Sequence, residues 1–271
     1  MKIGFIGAGN MAGAIIGGLV KQGFDPQDIF ASNRNKERLN SLKTSFGIQL
    51  CENNQDLIAQ ADVIVLSVKP QGMKVLCDEI SQSVQQHNNL VISVAAGLEI
   101  KTIEQWLGGN IPMIRCMPNT PSLVQTGASG LHANAQVTQN QKDFSKKLFD
   151  AIGISVWVPS EHDIHAVTAI AGSAPAYFFL FMQAMQEAGV KQGLSAETAR
   201  ALTVQTALGA ARMLDQTDET AEALRKKVTS PGGTTEQAIL NFQKNQLSDI
   251  VEQAMQACSD KSVELSKVLA K

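Results

Sequence analysis

A chain of 271 residues and 29.0 kDa exceeds one typical domain of about 100 to 200 residues and accommodates two. With 44% hydrophobic and 18% charged residues it carries the apolar content of a sizeable core, which excludes intrinsic disorder and a fibrous repeat. Its 23 basic and 25 acidic residues leave a net charge of −2 with no run of five like charges, so neither nucleic acid nor a membrane is an expected partner.

The first 160 residues alternate short apolar runs with more polar, helix-like stretches, the pattern of βαβ units and a parallel sheet. Strands are expected at residues 2–6, 29–32, 48–50, 63–68, 90–94, 111–116, 128–131 and 155–158. The run from Val63 to Val68 is apolar on both faces, which predicts a central strand covered by helices on each side. Residues 3–20 carry no charge and contain Ala12-Gly13-Ala14, a mimic of a signal-peptide cleavage site. The glycines at 4, 7, 9, 13, 17 and 18 break any continuous apolar helix there, and a strand, a glycine turn and a small-residue helix are expected instead.

From Glu161 onward strand-like alternation stops and long runs rich in Ala, Leu, Met and Gln begin. Helices are expected over 164–189, 195–215, 220–228, 235–245 and 246–267, the first ended by Gly189 and Gly193. Residues 164–186 lack any Asp, Glu, Lys or Arg and reach the roughly 20 residues that span a bilayer. Gly172, Ser173, Pro175, Gln183 and Gln186 within that run, without a flanking Lys/Arg cluster, point instead to a helix buried by protein on all sides. The change of pattern near Pro159 sets the expected boundary: an α/β domain over residues 1–160 and an all-α domain over 161–271. Cys51, Cys77, Cys116 and Cys258 are far apart, with no CxxC or Cys/His ligand spacing; this suits reduced thiols of a cytoplasmic protein and predicts no metal site.

Gly7-Ala8-Gly9-Asn10-Met11-Ala12 follows the first strand and opens a helix whose inner face is Ile15, Ile16 and Leu19. In that context the glycines have a physical role. Gly7 allows a tight turn, Gly9 lets backbone approach a pyrophosphate, and Ala12 permits close packing of helix on strand. The helix N-terminus supplies free N–H groups to the phosphates. Enzymes that use NAD place an Asp or Glu at the end of the second strand, against the ribose 2′-hydroxyl. Here Ser32, Asn33 and Arg34 stand there, which suits a 2′-phosphate and predicts NADPH, with NADH weaker. The competing reading is Arg34 as a solvated residue at a helix start.

In the second half Ser230-Pro231-Gly232-Gly233-Thr234-Thr235 reads as a turn leading into a helix. The N–H groups of Gly233, Thr234 and Thr235 would point out of that helix toward a small carboxylate. Ser230 or Thr234 acting only as a helix cap is the competing reading.

With these motifs the chain resembles the pyrroline-5-carboxylate reductase family over nearly all of its length. The resembling stretches are residues 2–11, Val68-Lys69-Pro70, Ser93-Val94-Ala95-Ala96-Gly97, Arg115-Cys116-Met117-Pro118-Asn119-Thr120-Pro121, Gly172-Ser173-Ala174-Pro175-Ala176-Tyr177 and Ser230 to Thr235. The resemblance implies a Rossmann domain followed by a helical dimerisation domain exchanged around a partner, often assembled as a ring of dimers. It implies reduction of 1-pyrroline-5-carboxylate to L-proline, the last step of proline biosynthesis. It further implies NADPH contacts from Gly7, Ala8, Gly9, Asn10 and Met11, from Ser32 and Arg34 (Asn33 stands between them), from Asn54, from Val68, Lys69 and Pro70, and from Ala95, Ala96 and Gly97. The substrate carboxylate would lie on Gly233, Thr234 and Thr235, with the Thr235 hydroxyl near the ring nitrogen as the catalytic group. Ala174, where many members have Gly, and Ala221-Glu222, where many have Pro-Gly, depart from the pattern.

Such a site needs little acid-base machinery. Hydride addition to a ketone requires a proton donor for the emerging alkoxide, whereas a cyclic imine can arrive already protonated at nitrogen. Consistently, no lysine lies between Lys147 and Lys191, where the related β-hydroxyacid dehydrogenases carry their catalytic lysine. That absence disfavours such a dehydrogenase or another imine reductase, and the carboxylate motif disfavours a non-catalytic NADP sensor. His162 and His165 read as surface or capping groups, Tyr177 as packing, and Lys69 as either a cofactor contact or a solvated lysine.

Overall fold

The computed structural model describes residues 1–270. Eight strands form one sheet: β1 (Ile3–Ile6), β2 (Ile29–Ser32), β3 (Gln49–Leu50), β4 (Val63–Leu66), β5 (Leu90–Ser93), β6 (Met113–Met117), β7 (Gly127–Ala133) and β8 (Gly153–Trp157). Their spatial order is β3-β2-β1-β4-β5-β6-β7-β8, so the chain reverses its direction of travel across the sheet between β1 and β4. The first six strands are parallel. The expectation of a parallel sheet fails at β7, which pairs antiparallel to β6 and carries β8 with it. The connection from Met117 to Gly127 is too short for the crossover that a parallel neighbour demands.

Twelve α-helices accompany the sheet among the described residues: α1 (Asn10–Lys21), α2 (Lys36–Phe46), α3 (Asn54–Gln60), α4 (Met73–His87), α5 (Ile100–Trp106), α6 (Gln139–Asp150), α7 (Asp163–Val167), α8 (Ala174–Lys191), α9 (Ala196–Asp215), α10 (Ala221–Lys227), α11 (Thr234–Lys244) and α12 (Leu247–Leu269). Two apolar layers cover the sheet. Val63 and Val65 of β4 join one layer with Phe5, Ile15, Ile16 and Leu19, while Ile64 and Leu66 join the other with Leu57, Leu76 and Ile103. The central-strand expectation for β4 is therefore met, because successive side chains along a strand alternate between faces and both faces here meet helices.

The chain divides into two compact units, Met1–Ser173 with Ala257–Lys271, and Ala174–Gln256. Within the first, residues 161–173 and the end of α12 pack with the sheet. The single helix expected from residue 164 is interrupted: Thr168–Gly172 form one π-turn between α7 and α8, closed by Ser173 N–H donating to Thr168 O at 2.8 Å. Asn119 braces this turn, its amide donating to Ala171 O at 3.1 Å and accepting from Ala128 N at 2.9 Å.

The second unit is α8 to α11 and the start of α12. Ser195 and Thr220 cap α9 and α10 by accepting from the N–H groups of Thr198 and Ala223. Helix α8 runs through Gly189 and ends before Gly193, two residues beyond expectation. Burial of this helix on all sides is not what the single chain shows: Phe178 is 64% and Phe179 65% exposed. The unit has too few helices to surround α8, whose apolar side chains cover most of its circumference.

Candidate active site

The parallel register of β2, β1, β4 and β5 brings their carboxyl ends to one edge, with Ser32, Ile6, Leu66 and Ser93 side by side. Ligands of open α/β sheets bind at this edge, where the strand order reverses. Every residue expected to hold the dinucleotide belongs to this edge. Residues 7–11 follow β1, Ser32 to Arg34 end β2, Asn54 begins α3, Val68 to Pro70 follow β4, and Ala95 to Gly97 follow β5.

Gly7 has φ +104°, and a methyl group there would stand 2.7 Å from the Ser67 carbonyl oxygen, so only glycine closes the turn against the end of β4. Its N–H donates to Ser32 O at 2.9 Å, which ties the turn to β2. Gly9 is the N-cap of α1 and receives no side-chain cap. The N–H groups of Asn10, Met11 and Ala12 therefore have no intrahelical acceptor, and beyond Gly9 and its chain neighbours the nearest atom to where a Gly9 side chain would begin is Ser67 O, at 4.0 Å. This is a cradle of the kind a pyrophosphate fills. Beside it the Ser67 hydroxyl is buried without a hydrogen-bond partner. A groove of about 690 Å³ starts at Ala8, Gly9 and Asn10 and continues along α1 toward Arg38 and Phe46 of α2.

At the end of β2, Ser32 is 2% exposed and its hydroxyl donates to Asn54 Oδ1 at 2.7 Å; Asn54 Nδ2 in turn donates to Glu79 Oε1 at 2.8 Å. Asn33 donates to Asn35 O, and Arg34 is exposed. Asn35 rather than Arg34 starts α2, its side chain accepting from Arg38 N–H. Lys69 is exposed ahead of the turn Pro70–Gly72. Ala95 and Gly97 are buried and Ala96 is exposed; Gly97 has φ +76°, and Leu269 Cδ1 lies 2.9 Å from where its side chain would begin.

In the helical unit, Gly233 is the N-cap of α11 without any side-chain cap, so neither Ser230 nor Thr234 caps this helix. Thr234 and Thr235 are exposed. The expectation that Gly233 offers its N–H is corrected: that group donates to Ser230 O at 3.0 Å inside the turn. Gly232 N–H is also taken, by Glu236 Oε2 at 2.7 Å. The amides of Thr234 and Thr235 remain, because the first turn of a helix has no carbonyl to receive them.

A family model described as pyrroline-5-carboxylate reductase dimerisation matches residues 161–265, and one described as NADP oxidoreductase, coenzyme F420-dependent, matches residues 2–97. The chain is 50% identical over 268 residues to a pyrroline-5-carboxylate reductase of Pseudomonas aeruginosa, covering 99% of this chain and 98% of that protein. The chain belongs to the pyrroline-5-carboxylate reductase family. Its fold superposes with a TM-score of 0.95 on a pyrroline-5-carboxylate reductase from Coxiella burnetii, at 44% identity and 98% coverage of both chains. A Plasmodium falciparum pyrroline carboxylate reductase solved with NADP bound gives 0.86, at 30% identity and 98% coverage of both.

In this reductase-family chain one of the paired histidines departs from its sequence reading. His162 is exposed, but His165 is 3% exposed, with Nδ1 2.8 Å from the Ser262 hydroxyl. Burial first, then the positive charges of Arg115 and His162, hold its pKa below the ordinary histidine value, against the raising effect of Glu99 and Glu161. Arg115, buried in β6, pairs with Glu161 Oε1 at 3.0 Å, and the same oxygen accepts from Ile100 N–H at 2.7 Å. The i, i+3 spacing put both histidines on one helical face; it carried no signal of Ser262, almost a hundred residues away. Glu79 was likewise missed, since a polar residue on an amphipathic helix reads as solvated.

Proposed function

We propose that this chain reduces 1-pyrroline-5-carboxylate to L-proline with NADPH, NADH serving less well, as the last step of proline biosynthesis. The observation that carries the reading is the convergence of the Gly7 turn, the uncapped α1 N-terminus and the Ser32–Asn54 pair on one sheet edge, in a chain that also carries the Thr234–Thr235 helix start.

Residues 7–11 hold the pyrophosphate through backbone N–H groups. Ser32, Asn33, Arg34 and Asn54 face the adenosine 2′ position. Val68, Lys69, Pro70, Ala95, Ala96 and Gly97 line the remaining strand ends. When bound there, NADPH supplies the hydride. The amides of Thr234 and Thr235 take the substrate carboxylate, with Gly233 giving the close backbone approach. The Thr235 hydroxyl lies at the ring nitrogen and orients it, and because an iminium already carries its proton no strong acid is required. Functionally the division runs at 160/161: residues 1–160 bind NADP, and residues 161–271 associate and bind substrate. The dimerisation-family match beginning at 161 supports that boundary. The association is a homodimer or a ring of dimers, in the cytoplasm.

Steady-state NADPH oxidation with 1-pyrroline-5-carboxylate tests the proposal directly. Saturable turnover yielding proline is the expected result. Cofactor binding without turnover would assign the chain to sensing instead.

A further inference from the structure

We propose that Glu79 is a positioning residue for cofactor choice, acting through Asn54 on the Ser32 hydroxyl to restrain use of the 2′-phosphorylated dinucleotide. The inference rests on the reading that Ser32 and Asn54 face the adenosine 2′ position.

A carboxylate accepts hydrogen bonds and never donates them. Glu79 Oε1 stands 2.8 Å from Asn54, so the NH₂ side of that amide must face Glu79 and its carbonyl must face the other way. The carbonyl meets the Ser32 hydroxyl at 2.7 Å, and a carbonyl accepts only, so the single hydroxyl proton of Ser32 is committed to Asn54. Ser32 is left with lone pairs alone, and Asn54 has one amide hydrogen directed at Glu79. A ribose 2′-hydroxyl has a proton to give to those lone pairs. A 2′-phosphate has only acceptor oxygens and needs donors. The pair as Glu79 holds it is matched to the hydroxyl and mismatched to the phosphate, and the negative charge of Glu79 acts in the same sense.

NAD-dependent enzymes place the discriminating carboxylate at the end of the second strand, in contact with the ribose. This chain keeps Ser32, Asn33 and Arg34 at that point and sets its carboxylate one amide further back, on α4. Arg34 attracts a 2′-phosphate and the Glu79–Asn54–Ser32 chain opposes it. To donate to the phosphate the Ser32 hydroxyl must release Asn54, and Asn54 can offer it only the one amide hydrogen that Glu79 does not hold.

The test uses the intact enzyme with Glu79→Ala and Glu79→Gln, each assayed for kcat/KM with NADPH and NADH and titrated with adenosine 2′,5′-bisphosphate and AMP. Glu79→Ala frees the Asn54 amide and should raise the NADPH to NADH ratio about 5- to 30-fold, the worth of one charge-assisted hydrogen bond, almost wholly in KM for NADPH. Glu79→Gln removes the charge but keeps an acceptor, and should give a smaller rise of about 2- to 5-fold. The bisphosphate should tighten in parallel while AMP stays constant. Ser32→Ala serves as the control. If it shifts the ratio while both Glu79 variants leave it unchanged or lower it, the role of Glu79 is refuted and the 2′ reading stands. If Ser32→Ala changes neither cofactor, the 2′ reading falls and the proposal with it.

Discussion

The two compact units of this chain differ in how far each satisfies itself. In the sheet unit both faces of β4 disappear beneath helices, and Phe5, Ile64 and Phe149 are among its fully buried side chains. Across residues 174–256 only Ala174, Ala199 and Thr203 are buried, while Phe178, Phe179 and Leu180 each expose more than 60% of their surface. Within its own unit α8 packs against α9, and its Phe181 meets Phe242 with ring centroids 6.0 Å apart, which leaves most of its apolar face open. Apolar surface of this extent marks an interface. The sheet unit's stability is therefore a property of one chain, whereas that of the helical unit is completed by self-association, in accord with its match to a dimerisation family.

The largest expected effect breaks this contrast on the helical side. Changing Phe178 and Phe179 together to Glu removes two apolar anchors, each worth about 1.5 to 3 kcal/mol when buried, and should weaken association roughly 10²- to 10⁴-fold. Sedimentation of the variant should show monomer, with NADP binding retained by the sheet unit. If the unaltered chain sediments as a well-behaved monomer at micromolar concentration, the helical unit is complete alone and the contrast collapses.

On the sheet side the corresponding cut is Gly7→Ala. Positive φ for alanine costs about 1 to 3 kcal/mol, and contact with the Ser67 carbonyl adds to it, so NADPH affinity should fall roughly 10- to 300-fold with association unchanged. Equilibrium fluorescence titration of NADPH measures this. An affinity within twofold of the original would place the pyrophosphate elsewhere.

Thr235→Ala sharpens the contrast inside the helical unit, by separating a substrate contact from a structural one. The hydroxyl is exposed and α11 has no side-chain cap, so the melting temperature should stay within about 1 °C. If the hydroxyl meets the substrate nitrogen, kcat/KM for pyrroline-5-carboxylate should drop about 10- to 100-fold, roughly 1.4 to 2.8 kcal/mol. A loss of stability with unimpaired turnover would return Thr235 to the fold.

The same division decides how much was legible in the sequence. Strands β1 to β8 all overlap the expected runs of three to six residues, and β1, β4 and β5 read most plainly because a strand covered by helices must be apolar whatever its neighbours do. Direction is a different matter: nothing within residues 127–133 distinguishes an antiparallel strand from a parallel one, and only the short connection after Met117 bears on it. The glycine turn was visible because its chemistry is contiguous along the chain. What stayed hidden are the bonds that join distant residues, such as Ser32 to Asn54 to Glu79 and His165 to Ser262, and bonds closed within a turn, such as Gly233 to Ser230. Periodicity identifies the face of an element, not the atom opposite it.

The smallest effect concerns that last long-range contact, which fastens the end of α12 to the sheet unit. His165 titrates below its ordinary value because burial disfavours the charged ring and Arg115 and His162 repel it, Glu99 and Glu161 offsetting only part of this. In the unfolded chain the same ring takes up its proton near pH 6.5. Above that pH the ring is neutral in both states and the fold carries no penalty. As the pH falls below it, the unfolded chain binds a proton that the folded chain refuses, so stability declines toward the lowered folded pKa. Urea unfolding at pH 7.5, 6.5 and 5.5 should show this decline, and hydrogen exchange should locate its earliest loss of protection at residues 257–270. His165→Gln removes the titrating group while keeping a partner for the Ser262 hydroxyl. It should be less stable at every pH but show a shallower slope between pH 6.5 and 5.5. An unchanged slope would mean that the acid sensitivity of the sheet unit arises elsewhere, and that the α12 anchor is indifferent to protons.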